Sequence, residues 1–263
     1  MYFLGIDIGS LSCDAVLLDE QQRIAASCVV PTGVRNIEAI ARVRTDVMDA
    51  AGIEESRIKS VISTGYGRNR VEQRDGAVTE ITCHAKGIRH LIRDTRVLID
   101  IGGQDSKAIL MDTEGKVVDF AMNDKCAAGT GRFLEAMARA LEVDIEDLGT
   151  LDRDAVSGLV LSSMCTVFAE SEVVSLIAGG TEQREIARGL NRAIASRTHS
   201  LVKRVVKETH GMTISMSGGV ARNQGVTRAI AESLGIQALN IPEKPDIIGA
   251  LGAALIAAER YER

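Results

Sequence analysis

The sequence predicts an α/β protein made of two similar halves, and two observations carry that prediction. First, the segment Ile6–Asp19 recurs without a gap 93 residues later, as Ile99–Asp112. Second, predicted strands alternate with predicted helices along the chain, which is typical of a layered α/β domain. A repeated supersecondary unit indicates a duplicated architecture. The two copies are identical at Ile6/Ile99, Asp7/Asp100, Ile8/Ile101, Gly9/Gly102, Ala15/Ala108, Leu17/Leu110 and Asp19/Asp112.

The first half opens with three apolar, β-rich segments and continues with apolar residues at helical spacing. Gly52 follows the first helical pattern at the position where a left-handed residue usually ends a helix. The predicted strands are Tyr2–Ile8, Asp14–Leu18, Arg23–Val30 and Ile58–Ser63, and the predicted helices are Ile37–Ala51 and Glu80–Ile92.

The second half repeats the three-strand opening within Val97–Met122. Two stretches rich in small residues follow, and each introduces a predicted helix, one after Gly131 and one after Thr166. The small residues of the last helix predict close packing against a neighbour. The remaining predicted elements are a helix over roughly Arg184–His210, a strand Thr213–Ser217, a helix ending near Gly235, a strand Gln237–Ile241 and a final helix Ile248–Ala258.

Each repeated hairpin has chemistry suited to phosphate. An acidic residue ends the first strand of each copy, Asp7 in one and Asp100 in the other, and glycines or hydroxyl residues follow. Turns of this kind present backbone N–H groups to phosphate oxygens, and the carboxylates can hold a hydrated Mg²⁺ beside them. A single Asp-x-Gly is more often only a turn after a strand. Two copies in the same register favour the functional interpretation.

Composition excludes several classes of protein. Charged residues are 25% of the chain and hydrophobic residues 45%, as in ordinary globular proteins. The net charge of −5, without a basic stripe, gives no reason to expect a nucleic-acid partner. No signal-like segment opens the sequence and no apolar run reaches membrane-spanning length, so a cytoplasmic protein is expected. Five cysteines without regular spacing argue against a secreted disulfide framework.

Two cysteines stand apart from the others. Cys126 and Cys165 each precede a predicted helix in surroundings rich in small residues, where the helix N-terminus favours a thiolate. Two cysteines cannot complete a four-thiolate site in one chain, but a two-fold dimer would supply four. Local chemistry leaves zinc and an iron–sulfur cluster both open. Cys13, Cys28 and Cys83 are interpreted as small buried hydrophobes.

At this point the chain resembles known proteins. The two acidic hairpins and Ser217–Asn223 resemble the superfamily of actin, sugar kinases and heat-shock chaperones, which implies two ribonuclease-H-like domains with an interdomain nucleotide cleft. Three longer motifs, Thr64–Asn69, Asn123–Phe133 and Ser163–Val173, are similar to the ATP-dependent activators of 2-hydroxyacyl-CoA dehydratases, a family that includes benzoyl-CoA reductase ATPase subunits. The expected domains are 1–94 plus 246–263, and 95–245.

The resemblance also implies roles for individual residues. Asp7 and Asp100 would hold Mg²⁺ through water, and Gln104 or Asp105 would orient the attacking water, which makes Asp7, Gln104 and Asp105 the expected catalytic residues. Cys126 and Cys165 would ligate one [4Fe–4S] cluster per homodimer, and the segment with Glu80 and His84 would approach the nucleotide. The expected contacts to ATP or ADP are Ser10, Leu11, Ser12, Cys13, Asp14, Asp100, Gly102, Gly103, Gln104, Gly218, Gly219 and Asp246.

One residue departs from the family's pattern. Many members carry lysine at the end of the first hairpin, where this chain has Asp14, while Lys107 occupies the equivalent place in the second hairpin. A carboxylate at this position would repel a phosphate unless metal or water intervened, and the strand geometry could also point it away. Lys107 could supply the missing positive charge.

The implied activity is an ATP-dependent one-electron reductase. Reduced ferredoxin or flavodoxin would be the donor, and a 2-hydroxyacyl-CoA dehydratase the acceptor. An alternative keeps this chemistry but serves a benzoyl-CoA-reductase-like or other double-cluster protein. A cluster-free nucleotide sensor and a small-molecule kinase are alternatives from other classes, and neither has a need for Cys126 and Cys165.

Overall fold

The computed structural model describes residues 1–156, 158–161 and 165–262. By their internal contacts these residues form two compact units. Unit one contains Met1–Thr95, Met111–Val118 and the chain from Pro242 onward, and unit two contains Arg96–Leu110 and Asp119–Ile241. The predicted α/β class is confirmed. The predicted domain boundaries stay a prediction, and none of the described helices is both long and apolar enough to span a membrane.

Unit one is built on a five-stranded sheet in the order β3-β2-β1-β4-β5. β1 pairs antiparallel with β2 and parallel with β4, so a hairpin and a crossover flank the same strand. The strands are β1 Tyr2–Ile8, β2 Ser12–Asp19, β3 Ile24–Pro31, β4 Ile58–Gly65 and β5 Gly76–Ala77, and the helices are α1 Asn36–Ala51, α2 Glu80–Leu91 and α7 Ile248–Tyr261.

Helices cover both faces of this sheet. Leu4, Ile6 and Ile8 of β1 point towards the core beneath α1, whereas Phe3 belongs to the core beneath α7. Gly5 lies so close to the backbone of α7 that a Cβ atom would collide with the Ala250 carbonyl. The close packing predicted for the final helix is therefore present, and it needs glycine where helix and strand meet.

Unit two repeats the strand order of unit one. Its sheet has the order β8-β7-β6-β9, which matches β3-β2-β1-β4 strand for strand. β6 and β7 form the second antiparallel hairpin. The elements are β6 Thr95–Ile101, β7 Ser106–Met111, β8 Val117–Asn123, α3 Gly131–Leu141, α4 Thr166–Ala178, α5 Gln183–Val202, β9 Thr213–Ser217 and α6 Gln224–Leu234.

Two predicted elements were wrong. The helix predicted to reach His210 ends at Val202. Beyond it, hydrogen bonds between residues three apart, such as Val205 N to Val202 O, replace the α-helical pattern. Gly211 has the positive φ of 71° expected of a helix-ending glycine, but it serves a separate turn before β9. The strand predicted over Gln237–Ile241 is only an isolated bridge between Ser215 and Asn240, because Pro242 follows directly and carries no N–H donor.

Candidate functional site

The first hairpin brings two acidic residues together. Asp7 on β1 is paired with Asp14 on β2, and residues directly opposite in an antiparallel pair project to the same face. The turn between them is closed by a 2.9 Å hydrogen bond from Gly9 N to Ser12 O. Ser10 at its tip is exposed, and it lines a cavity of about 440 Å³. The predicted phosphate turn is thus accessible while the acidic pair behind it is buried.

Asp14 is a buried carboxylate without adequate partners. Its side chain is 5% exposed. Ser12 Oγ donates to Oδ2 at 3.2 Å, whereas no group in the described part of the chain hydrogen-bonds to Oδ1. Burial, and next the negative charge of Asp7, raise the pKa of Asp14 well above its usual value. Asp246, expected near the adenosine, also acts on Asp14 as a negative charge and lies in the turn before α7.

Asp7 is enclosed by three other parts of unit one. His84 Nε2 on α2 lies 3.6 Å from Asp7 Oδ2. Gly65 at the end of β4 and Gly249 in α7 both pack so tightly on the carboxylate that a Cβ atom would collide with it. The approach of this segment to the nucleotide stays a prediction, and in this structure the side chain that His84 approaches is Asp7. The sequence alone did not predict the proximity of Asp7 and His84, because the two residues are far apart in the chain.

The second hairpin has the same backbone and a different charge pattern. Its turn is closed by a 3.0 Å hydrogen bond from Gly102 N to Asp105 O, and Asp100 is paired with Lys107 across the strands. Lys107 Nζ lies 3.2 Å from Asp100 Oδ2 and 2.8 Å from Asp105 Oδ2. Lys107 and Asp100 are both 2% exposed. Asp105 is thus held by lysine, whereas Gln104 at the tip is exposed.

Gly218 supports the second hairpin from β9. It has φ of +84°, and a Cβ atom there would collide with the Ile101 carbonyl. The preceding Ser217 donates a 2.8 Å hydrogen bond to Asp100 Oδ1. Gly219 begins a short 3₁₀ turn that leads to Asn223, whose side chain caps α6 by accepting from Val226 N at 2.9 Å. Gly218 therefore shapes the Asp100 environment, as Gly65 does for Asp7.

Cys126 and Cys165 are both half-buried thiols in unit two. Cys165 is the N-cap residue of α4. Cys126 lies in the loop before α3, where its carbonyl accepts a 3.2 Å hydrogen bond from Asn123 Nδ2. α3 packs against α4. Two residues of the motif Ser163–Val173, Ser163 and Met164, lie outside the described residues.

The other three cysteines, Cys13, Cys28 and Cys83, lie in β2, β3 and α2 of unit one. Burial raises the pKa of the Cys83 thiol to about 12. Burial also raises the pKa values of Cys13 and Cys28, so all three favour the protonated thiol, which ligates metal poorly. Within the described ranges no three His, Cys, Asp or Glu side chains converge in a geometry that would hold a metal ion.

The family model of the BadF/BadG/BcrA/BcrD ATPases matches residues 4–257. The chain belongs to this ATPase family. An activator of lactoyl-CoA dehydratase from Anaerotignum propionicum is 44% identical over 263 residues, covering 100% of both chains. The predicted resemblance to this family is confirmed.

Solved structures agree with this family assignment. The activator of 2-hydroxyisocaproyl-CoA dehydratase from Clostridium difficile, with bound ADPNP, has a TM-score of 0.92 and 40% identity, covering 100% of this chain and 96% of its own. Component A of the (R)-2-hydroxyglutaryl-CoA dehydratase of Acidaminococcus fermentans has a TM-score of 0.93 and 40% identity, covering 100% of both chains.

A more distant neighbour shares the fold. A glucokinase of the ROK family from Streptomyces griseus has a TM-score of 0.61 at 16% identity, covering 98% of this chain and 100% of its own. Identity this low shows the fold alone. The predicted fold of the actin and sugar-kinase superfamily is confirmed.

The sequence contains a signal for the contacts with the hairpin aspartates that were not predicted. Thr64-Gly65 at the end of β4 and Ser217-Gly218 at the end of β9 are a second similar pair, separated by 153 residues instead of 93, and each glycine packs on the hairpin aspartate of its own unit. An alignment extended beyond the hairpins would have found Gly65 and Ser217. No comparable pattern indicates Gly249, and for His84 the sequence predicted an approach to the nucleotide but not the proximity to Asp7.

Proposed function

We propose that this chain is an ATP-hydrolysing reductase that delivers one low-potential electron to a 2-hydroxyacyl-CoA dehydratase. The observation that carries the proposal is the combination of two acidic glycine hairpins with two half-buried thiols, each just before a helix. Family relatives named as dehydratase activators support the choice of acceptor. Such a protein works in a reducing compartment, so we place it in the cytoplasm.

The hairpins are the proposed phosphate-binding elements. Backbone N–H groups of Ser10–Asp14 and of Gly102–Gln104 are assigned to phosphate oxygens, and Gly218, Gly219 and Asp246 to the adenosine. A magnesium ion would supply charge neutralisation there, with Asp7 and Asp100 holding its water ligands. Gln104 is the better candidate to orient the attacking water, because the Asp105 carboxylate already pairs with Lys107.

The thiols are the proposed cluster ligands. Cys126 and Cys165 fit a four-thiolate group only when a second copy of the chain contributes the same pair across a two-fold axis. Apolar side chains of α4 support such a contact, since Val167 and Phe168 are 66% and 68% exposed directly after Cys165. The N-terminus of α4 would stabilise the bound thiolate. When bound, a [4Fe–4S] cluster supplies one-electron chemistry, oxidising ferredoxin or flavodoxin and reducing the acceptor.

The deciding experiment is metal analysis of protein purified without oxygen. We expect about four iron and four acid-labile sulfide per dimer, lost in Cys126→Ser and in Cys165→Ser. Cys28→Ser is the matched control, because Cys28 is also half-buried but lies in β3, and its iron content should be unchanged. Zinc, or no metal in any preparation, would overturn the reductase proposal in favour of a nucleotide sensor or kinase.

A further inference from the structure

The two hairpins differ at one register position that decides their charge. Lys107 faces Asp100 in unit two, and Asp14 faces Asp7 at the equivalent place in unit one. The closing hydrogen bonds of the two turns are the same, from Gly9 N to Ser12 O and from Gly102 N to Asp105 O. The difference is therefore one of charge and not of backbone. Unit one lacks the cation that unit two carries at this point.

Among the described residues, the only hydrogen bond to the Asp14 carboxylate comes from Ser12 Oγ, at 3.2 Å from Oδ2, and no cation pairs with it. Oδ1 has no hydrogen-bond partner in the described part of the chain, although the residue is 95% buried. The strongest charges acting on Asp14 are those of Asp7 and Asp246, both negative, and His84, which is 3.6 Å from the other carboxylate. A buried carboxylate with one unsatisfied oxygen beside a second carboxylate is unfavourable unless a cation or a proton joins them.

We propose that the paired carboxylates of Asp7 and Asp14 bind one divalent cation of the Mg²⁺ or Mn²⁺ class before any nucleotide arrives. This cation takes the place in unit one that Lys107 Nζ takes in unit two. Mg²⁺ is commonly held by one or two carboxylates with water or phosphate completing its octahedron. Two protein ligands suit that pattern and agree with the lack of a larger ligand group among the described residues.

The consequence for the nucleotide rests on the proposed function. A cation already held by the first hairpin would meet the phosphates there, so Asp14 would assist binding instead of repelling the nucleotide. Replacement of Asp14 by lysine would convert the first hairpin to the charge pattern of the second. The protein should then bind nucleotide with less dependence on divalent cation.

The test is Mn²⁺ binding to nucleotide-free protein, followed by electron paramagnetic resonance and by calorimetric titration. We expect about one Mn²⁺ per chain in wild type, a loss of affinity of at least tenfold in Asp14→Asn, and no binding at this site in Asp14→Lys. Asp19→Asn, at the far end of the same hairpin, is the control and should bind as wild type does. A native circular-dichroism spectrum of Asp14→Asn excludes an unfolded variant as the cause. A Mn²⁺-induced rise in melting temperature is expected in wild type but not in Asp14→Asn.

Two results would overturn the inference. One is an absence of Mn²⁺ binding to nucleotide-free wild type, which would leave a proton as the group shared by the two carboxylates. The other is an Asp14→Asn affinity within twofold of wild type. Binding of ADPNP in Mg²⁺ buffer is measured separately, because failure to bind it would refute the proposed ATPase role while the Mn²⁺ result still decides the cation site.

Discussion

The two hairpins of this protein share a backbone and differ in how they neutralise a buried aspartate. In unit two, Asp100 is held by Lys107 and by the Ser217 hydroxyl. In unit one, Asp7 faces Asp14 and is approached by His84. Main-chain geometry, set by glycines and by strand pairing, has been retained in both halves, while the charge inside each hairpin has diverged. The two halves of a duplicated nucleotide-binding fold can therefore carry different chemistry on the same frame.

The largest effect is expected from removing the cation of unit two. Lys107→Met should lower the free energy of unfolding by about 3–5 kcal/mol, because it leaves buried carboxylates without their cation. Urea denaturation measures this change. Lys116→Met is the control, since its pair with Glu114 is exposed and worth at most about 1 kcal/mol. Equal effects of the two substitutions would contradict a buried ion pair in the second hairpin.

The second largest effect is expected at the glycines that pack on the two hairpins, a feature that both halves share. Gly65→Ala and Gly218→Ala should each cost about 2–4 kcal/mol, since strain of about 1–2 kcal/mol at positive φ adds to overpacking against the hairpin. Gly52→Ala has φ of +64° but open space around it, so it reports the strain alone. Thermal unfolding of all three variants separates strain from collision. If Gly65 and Gly218 behave like Gly52, the tight support of the hairpins is wrong.

A smaller effect of opposite sign is expected at Asp14. In chelator-treated protein at neutral pH, Asp14→Asn should raise the free energy of unfolding by about 1–3 kcal/mol, because a buried carboxylate with one unsatisfied oxygen beside Asp7 is removed. The pKa of Asp14 is raised in the folded state, so the folded state binds more protons than the unfolded state above about pH 4. Stability of wild type therefore falls as pH rises from there through the folded pKa.

Denaturation as a function of pH tests this prediction. Denaturation midpoints taken from pH 4 upwards should decline in wild type relative to Asp14→Asn and then run parallel above the folded pKa. Curves that stay parallel over the whole range would mean that Asp14 titrates normally. Asp19→Asn keeps Asp14 intact and should preserve the decline.

The smallest effect is expected where the two hairpins agree. Asp19 and Asp112 end the repeated motifs, and each accepts a 2.9 Å hydrogen bond from the backbone N–H four residues later, at Arg23 and at Lys116. For Asp19, slight burial raises the pKa, but the hydrogen bonds from Arg23 outweigh it; for Asp112, the Lys116 N–H lowers the pKa. Each stabilises the protein above about pH 4, and the gain is lost as pH falls through the folded pKa.

Asp19→Asn and Asp112→Asn should accordingly lower the melting temperature slightly at pH 7 and leave it unchanged in strong acid. Differential scanning calorimetry at the two pH values measures the difference. A large effect in one hairpin alone would show that the turns at the far ends have diverged as well.

Much of the fold can be predicted from the sequence because local residue patterns determine most of its strands and helices. The repeat of Ile6–Asp19 predicted both hairpins. The predicted strands that lie within two residues of their observed limits are Tyr2–Ile8, Asp14–Leu18, Arg23–Val30, Ile58–Ser63 and Thr213–Ser217, whereas the segment predicted as Gln237–Ile241 forms only a bridge. The end of α5 was predicted eight residues too late, at His210 instead of Val202. Apolar spacing continued through Val205, but the chain leaves the helix and keeps that side chain buried in the core of unit two.

The sequence by itself determined that this protein is duplicated, that each half presents an acidic glycine hairpin, and that Cys126 and Cys165 precede helices. These properties depend on residues close together in the chain. Only the tertiary structure decided that Asp14 is buried with one carboxylate oxygen unsatisfied, that Lys107 bridges Asp100 and Asp105, and that His84 approaches Asp7. The reason is physical: burial and charge pairing depend on strand register and helix packing, which join residues that are far apart in sequence.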